Sequence, residues 1–142
     1  MNITAIPFNQ LIGIKRAERD PPYLLELDDR PAYTNHLGTV HASAQLALAE
    51  ATSAEHLLRT FTDADPDLVA VVRTVQAKFK KPLKGPAYSK ARIVDGEIPR
   101  FSEALNAKGM GIIHVSVDVV DAHDAVAMSA DIGWVIRRHK RT

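Results

Sequence analysis

The chain predicts an α+β fold in which a curved antiparallel β-sheet wraps around one long central α-helix. Three features lead there. Residues from about Ala42 to Thr60 are rich in alanine, leucine and glutamate and run too long for a strand. Apolar residues in that stretch occupy nearly every side, which suits an enclosed helix better than one on a wet surface. The second half alternates apolar and polar residues with period two, as antiparallel strands with one buried face do.

Taken in order, FNQLIGIKRAE (8–18) and YLLELD (23–28) read as short strands. RDPP separates them, because Pro21 and Pro22 forbid a regular strand interior. DDRPAYTNHLGT is loop-like. The long helix follows, and DADPD (63–67) ends it with turn formers. AVVRTVQAKFKK (70–81) sets Val71, Arg73, Val75, Ala77 and Phe79 against Val72, Thr74, Gln76, Lys78 and Lys80. After KPLKGP comes the strand AYSKARIV, with DGE (95–97) as a hairpin turn. GIIHVSVDVVD places Ile113, Val115, Val117 and Val119 on one face and His114, Ser116 and Asp118 on the other. AVAMSADIGWVIRR carries Val126, Met128, Ala130, Ile132, Trp134 and Ile136 on one face, so Trp134 reads as packing. The order is strand, strand, helix, then four strands, with no internal repeat. Enclosing the helix supplies a core at about 25 cal/mol per Å² of apolar surface.

At 142 residues and 15.6 kDa, one domain spanning 1–142 is expected, large enough for a real core. A hydrophobic content of 46% with 25% charged residues excludes a disordered chain. The net charge of +1 argues against a nucleic-acid coat. The halves differ: residues 1–71 carry 5 basic and 10 acidic side chains, residues 72–142 carry 13 and 7. Absence of cysteine removes disulfides, thiolate nucleophiles and cysteine-ligated zinc together. MNITAIPFNQLIG lacks a basic start and a long apolar run, and no stretch approaches the roughly 20 apolar residues of a membrane span. A soluble cytoplasmic protein is the expectation.

Against this background Glu50 is an anomaly, a lone carboxylate in the middle of an alanine-rich helix. Positions 46, 47, 53 and 54 hold no lysine or arginine, so the usual helix ion pair is missing. Either Glu50 sits on a solvent-facing strip, or it lines a cleft where desolvation raises its pKa and suits it to base or nucleophile work. Upstream, Gly38 and His41 precede a helix start. The free N–H groups of Ala42 and Ser43 there are candidates to stabilise an oxygen that turns negative during acyl transfer.

The segment N35-H-L-G-T-V-H41-A-S-A-Q-L-A-L-A-E50 resembles the hotdog-fold thioesterases, in particular the PaaI-like and DUF4442-like acyl-CoA thioesterase group. The pattern of that group is an Asn, a Gly-containing turn, His-Gly-Gly, and an Asp or Glu nine positions beyond the His. The resemblance covers nearly the whole chain and implies a hotdog fold. It also implies homodimers that join their sheets edge to edge, pair further into tetramers, and place active sites at the subunit interface. It implies Glu50 as nucleophile or general base and the Ala42 N–H as polariser of the thioester carbonyl. His41 would hold the turn and the thioester end of the substrate, and Asn35 would orient the attacking water or carboxylate. Gly38 and Ser43, in and after the turn, would be substrate-binding residues. The phosphates of coenzyme A would meet Lys81 and Lys84, in the basic region of Lys78, Lys80, Lys81, Lys84 and Lys90. The implied activity is hydrolysis of an acyl-CoA to free acid and coenzyme A, without cofactor or metal.

Two alternatives stand beside it. Ala42 and Ser43 occupy the two glycine positions after the His, which favours a non-catalytic protein that binds acyl thioesters. His36 lies fourteen residues before Glu50, the spacing of hotdog dehydratases acting on hydroxyacyl thioesters; HLGTVHASA, however, lacks their prolines. His36, His41 and Glu50 fit no zinc spacing. Phe79 and Tyr88 are too thin an aromatic platform for single-stranded nucleic acid. Leu57, Phe61 and Ile113 are candidates to shape an acyl pocket, and RRHKR (137–141) reads as a frayed terminus.

Overall fold

The computed structural model describes residues 1–61 and 65–139. The N-terminal stretch departs first from expectation. Pro7–Leu11 is a short helix, α1, not a strand, and only Lys15–Arg16 (β1) of residues 8–18 is extended. Pro7 stands at the helix start, where its fixed φ is preorganised and its missing N–H costs nothing. The buried Asn9 amide then donates to the Ile3 carbonyl and holds the turn down. Leu25–Leu27 (β2) is buried at all three positions.

Next come α2 (Ala42–Thr60), β3 (Leu68–Phe79), β4 (Ala87–Arg92), α3 (Glu97–Lys108), β5 (Met110–Val120) and β6 (Val126–Arg138). The six strands form one antiparallel sheet in the order β1-β2-β4-β5-β6-β3. Helix α2 lies across β2, β4, β5 and β6. Its buried Leu48 meets an inner sheet face built from Leu25, Leu27, Ile113, Val115, Val117, Met128 and Ile132. The expected sheet-enclosed helix is thus present. Of the turn expected at 63–67, the Asp67 N–H bonds the Asp65 carboxylate at 2.9 Å. Residues 63 and 64, and positions 140–141 of the basic tail, lie outside the described residues.

Two further expectations are corrected. DGE is not a hairpin turn: Gly96, at φ 91°, caps helix α3, which occupies the connection between β4 and β5. Phe101 and Leu105 follow a helical spacing there, and Phe101 is buried against Gly111 and the Phe61 ring, centroids 5.6 Å apart. In the first turn of α3, Glu97 accepts the His114 N–H at 3.1 Å, beyond the last residues at which β4 pairs with β5. The alternation along β3 is also broken. A bulge between Val72 and Thr74 displaces Arg73, so Val72 and Val75 both face inward, opposite Trp134 and Ile132. Thr74, Gln76 and Lys78 line the outer face beside Gly133, Asp131 and Ser129.

Gly111 is needed for packing. A Cβ there would lie 2.7 Å from the Phe101 ring and 3.1 Å from the Phe101 carbonyl. Gly111→Ala is expected to lower unfolding free energy by about 1–3 kcal/mol, as overpacking does. Urea denaturation followed by Trp134 fluorescence measures it.

Candidate functional site

The loop before α2 is built by Asn35. Its Oδ1 accepts the N–H groups of Leu37 (2.9 Å) and Thr39 (3.1 Å), and its Nδ2 donates to Thr39 Oγ1 at 2.9 Å. The Asn35 backbone N–H bonds the Thr39 carbonyl, and Gly38 takes φ 74°, a left-handed conformation that glycine adopts without strain. Within the turn, then, the Asn35 carbonyl oxygen and one of its two amide hydrogens are engaged. His36 is exposed on the same turn.

His41 is the N-cap of α2. Its Nδ1 accepts the Ser43 N–H at 2.9 Å, an imidazole doing what a Ser or Asp side chain usually does. A neutral His41 therefore carries its proton on Nε2. The Ala44 and Gln45 N–H groups bond the His41 carbonyl at 3.0 and 3.2 Å. Of the two donors expected at the helix start, Ser43 is occupied by the cap. The Ala42 N–H has no partner among the described residues. A free donor at the positive end of a 19-residue helix is suited to an oxygen that gains negative charge.

Helix rotation places Glu50. Each residue turns the helix by about 100°. Glu55 faces Arg16 of β1, Thr52 Oγ1 lies 2.5 Å from Ser89 Oγ of β4, and the Trp134 indole N–H of β6 donates to Ser53 Oγ at 2.9 Å. Continuing in the same sense, Glu50 comes next, on the side of β3. Ser43, Ala47, Ala54 and Leu58 share this strip, and it is the open side of α2. Facing it is the inner surface of β3, where Val75 and Phe79 are 46% and 47% exposed. We read these two surfaces as the walls of an open trough along the sheet edge.

The two central glutamates of α2 differ electrostatically. Burial pushes the Glu55 carboxyl up, but hydrogen bonds from Arg16 and Arg59 outweigh it and hold the group below its ordinary value. Glu50 has neither a hydrogen bond nor an ion pair through its carboxylate among the described residues, and burial alone raises its pKa. Of the two lysines nominated for phosphate, Lys81 is paired with Asp121 at 2.5 Å. Lys84 is exposed and has no partner among the described residues, and it follows Leu83, whose carbonyl accepts the Val40 N–H at 2.8 Å. That bond brings Lys84 beside the start of α2. Among the acyl-pocket candidates, Ile113 is core, Leu57 is buried and Phe61 is partly covered. No group of three metal-ligating side chains gathers among the described residues. No helix among them is long and apolar enough to cross a membrane.

A family model described as a domain of unknown function, DUF4442, matches residues 5–136. The chain belongs to the DUF4442 family. No curated protein matches it. Among solved structures, a Pseudomonas aeruginosa protein described as of unknown function and a probable thioesterase is 22% identical. That match has a TM-score of 0.79 and covers 96% of this chain and 91% of the other. A Haemophilus influenzae thioesterase is 11% identical at TM-score 0.72, covering 98% and 88%. A Bacillus halodurans protein crystallised with CoA is 17% identical at TM-score 0.67, covering 93% and 76%. These likenesses establish that this DUF4442 chain has the hotdog fold.

Sequence reasoning did not find the Trp134–Ser53 bond or the enclosure of Glu55 by two arginines. The signal for the first was present, since Ser53 lies three residues beyond Glu50, about 60° around α2, and Trp134 has inward parity on its strand. The second joins β1 to α2 across 39 residues, which no local pattern reports.

The raised Glu50 pKa has a stability consequence with a definite sign. Stability from the protonated group is fully present below its ordinary value of 4.5 and is lost as pH rises through the raised folded-state pKa. Glu50→Gln should therefore melt higher than the parent at pH 8, with the difference shrinking toward pH 4. Thermal unfolding at the two pH values checks this.

Proposed function

We propose that this DUF4442 protein is a thioester hydrolase acting on acyl-CoA, with Glu50 as the reactive carboxylate. The observation that carries the reading is Glu50 itself: partly buried, unpaired among the described residues, and set on the open strip of α2 downstream of a free Ala42 N–H. The likeness to thioesterases, and to a protein crystallised with CoA, supports the substrate class.

In this account the thioester carbonyl oxygen accepts the Ala42 N–H. The ionised Glu50 attacks the carbonyl carbon or takes a proton from a water that does. The tetrahedral oxyanion is stabilised by the same N–H and the positive end of α2. Collapse breaks the C–S bond and coenzyme A leaves as the thiol after protonation. Where water attacked, the free acid is released directly; where Glu50 attacked, a water then hydrolyses the acyl–Glu50 anhydride to the free acid and the regenerated carboxylate. His41 caps the helix so that Ala42 is presented. Asn35 and Gly38 shape the turn, and Asn35 thereby acts through the turn. Ser43 anchors the cap through its N–H and stands at the head of the open strip. Lys84, with Lys81 behind it in its ion pair with Asp121, meets the coenzyme A phosphates at the same end of the helix.

The active unit in this reading is a homodimer, with tetramers as a further level. β3 is a 12-residue edge strand whose Val69, Val71, Val75 and Phe79 are exposed, and such an edge needs covering. A second copy paired along it would extend the sheet and roof the trough in front of Glu50. One observation favours the rival reading of a binding protein: Ala42 and Ser43 each place a Cβ where the carbonyl must approach.

Glu50→Gln and Glu50→Ala are expected to lower kcat on the best acyl-CoA by at least about 100-fold while the fold and dimer mass stay unchanged. In the parent, turnover should fall as pH drops through the raised Glu50 pKa. Steady-state hydrolysis over short, long and aromatic acyl-CoAs, with sedimentation of each variant, decides. Full hydrolysis by Glu50→Gln overturns the assignment, and tight acyl-CoA binding without hydrolysis by the parent selects the rival.

A further inference from the structure

A carboxylate with no side-chain partner must be held in place by something else. In α2 the position one turn beyond Glu50 is Ala54, which offers no hydrogen bond. The residue before it does. Ser53 is fully buried, and its hydroxyl donates to the main-chain carbonyl of Glu50 at 2.7 Å. The Ser53 hydroxyl oxygen in turn accepts the indole N–H of Trp134 at 2.9 Å, across 81 residues of sequence. Trp134 is itself only 7% exposed and is seated on the inner face of the sheet between Val72 of β3 and Ile113 of β5. The indole N–H, the serine hydroxyl and the Glu50 carbonyl thus form a continuous chain from the sheet to the backbone of Glu50.

We propose that Trp134 and Ser53 are positioning residues that fix the Glu50 turn of α2 against β6 and so aim its carboxylate into the trough. This rests on Glu50 being the reactive carboxylate. The Trp134–Ser53 bond is buried, where competing water does not loosen it, and the Ser53 bond to the Glu50 carbonyl is partly buried. They act on the main chain, so they leave both carboxylate oxygens free for a substrate or a water. Without the tether, the Glu50 turn keeps the bonds of the helix itself and the core packing of Leu48, Ala49 and Ala51, with no polar bond from β6. The nearest other cross-links to the sheet, Thr52 to Ser89 and Glu55 to Arg16, sit on a different side of α2 and do not restrain rotation toward β3 as directly.

The test combines hydrolysis kinetics with a carboxyl-carbon NMR titration of Glu50 in the parent, Ser53→Ala, Ser53→Thr and Trp134→Phe. Ser53→Ala should lose about tenfold or more in kcat. Its KM should stay within about twofold of the parent's. Its Glu50 titration should move down toward the ordinary 4.5 as the turn relaxes into solvent. Ser53→Thr keeps the hydroxyl and should restore both readouts. Trp134→Phe keeps the ring but removes the N–H, and should fall between. A purely structural bond would lower the melting temperature while leaving kcat and the Glu50 titration at parent values in folded protein, and that result overturns the proposal. If Ser53→Ala fails to fold, Trp134→Phe decides by the same readouts. If the parent hydrolyses no acyl-CoA, the thioesterase reading fails, yet the titration still decides the tether: a downward move supports it and an unchanged one sinks it.

Discussion

Enclosing α2 in the concave face of the sheet is the constraint on which the remaining structure depends. The helix brings polar side chains into that contact, and burying them is costly unless each finds a partner. Glu55 finds Arg16 and Arg59, Thr52 finds Ser89, and Ser53 finds Trp134. These links reach three different strands and together determine the rotation of the helix about its axis. Once that rotation is set, Glu50 has only one direction to point, past β6 toward the uncovered inner face of β3.

The helix start is governed by a second economy. Its first N–H groups need acceptors, and His41 supplies two, a ring nitrogen for Ser43 and a carbonyl for Ala44 and Gln45. The donor of Ala42 is what remains. Two groups of opposite character that lack a partner among the described residues, an N–H and a carboxylate, therefore occupy the same helix. An arrangement that neutralises Glu55 with two arginines while giving Glu50 none is difficult to explain by stability. It is easily explained by chemistry at a carbonyl.

Much of this was legible in the sequence, and the rest was hidden for physical reasons. Period-two alternation located β5 and β6 because each buries one face, and composition located α2. Glu50 stood out because its neighbours at helical spacing, Leu46, Ala47, Ser53 and Ala54, include no cation to pair with it. The trough did not stand out, because Ala47 and Ala54 count as apolar whether they touch a core or line a cleft, so an all-round apolar helix conceals its open strip. α3 was missed because Gly96 serves a helix cap as readily as a hairpin turn, and Pro99 in the first turn of that helix weakens its helical appearance. The β3 bulge was invisible since alternation of residue types continues across Arg73 while the backbone register does not. Lys81 and Lys84 were alike in sequence, and only the fold separates them by giving Asp121 to the first.

The most direct measurement is a structure of the protein with an acyl-CoA analogue in which a methylene replaces the thioester sulfur, leaving a ketone that cannot be hydrolysed. The account predicts the ketone oxygen within hydrogen-bond distance of the Ala42 nitrogen, the Glu50 carboxylate facing the ketone carbon or a water beside it, and the phosphates near Lys84. An analogue bound with its carbonyl away from both Ala42 and Glu50 would contradict it.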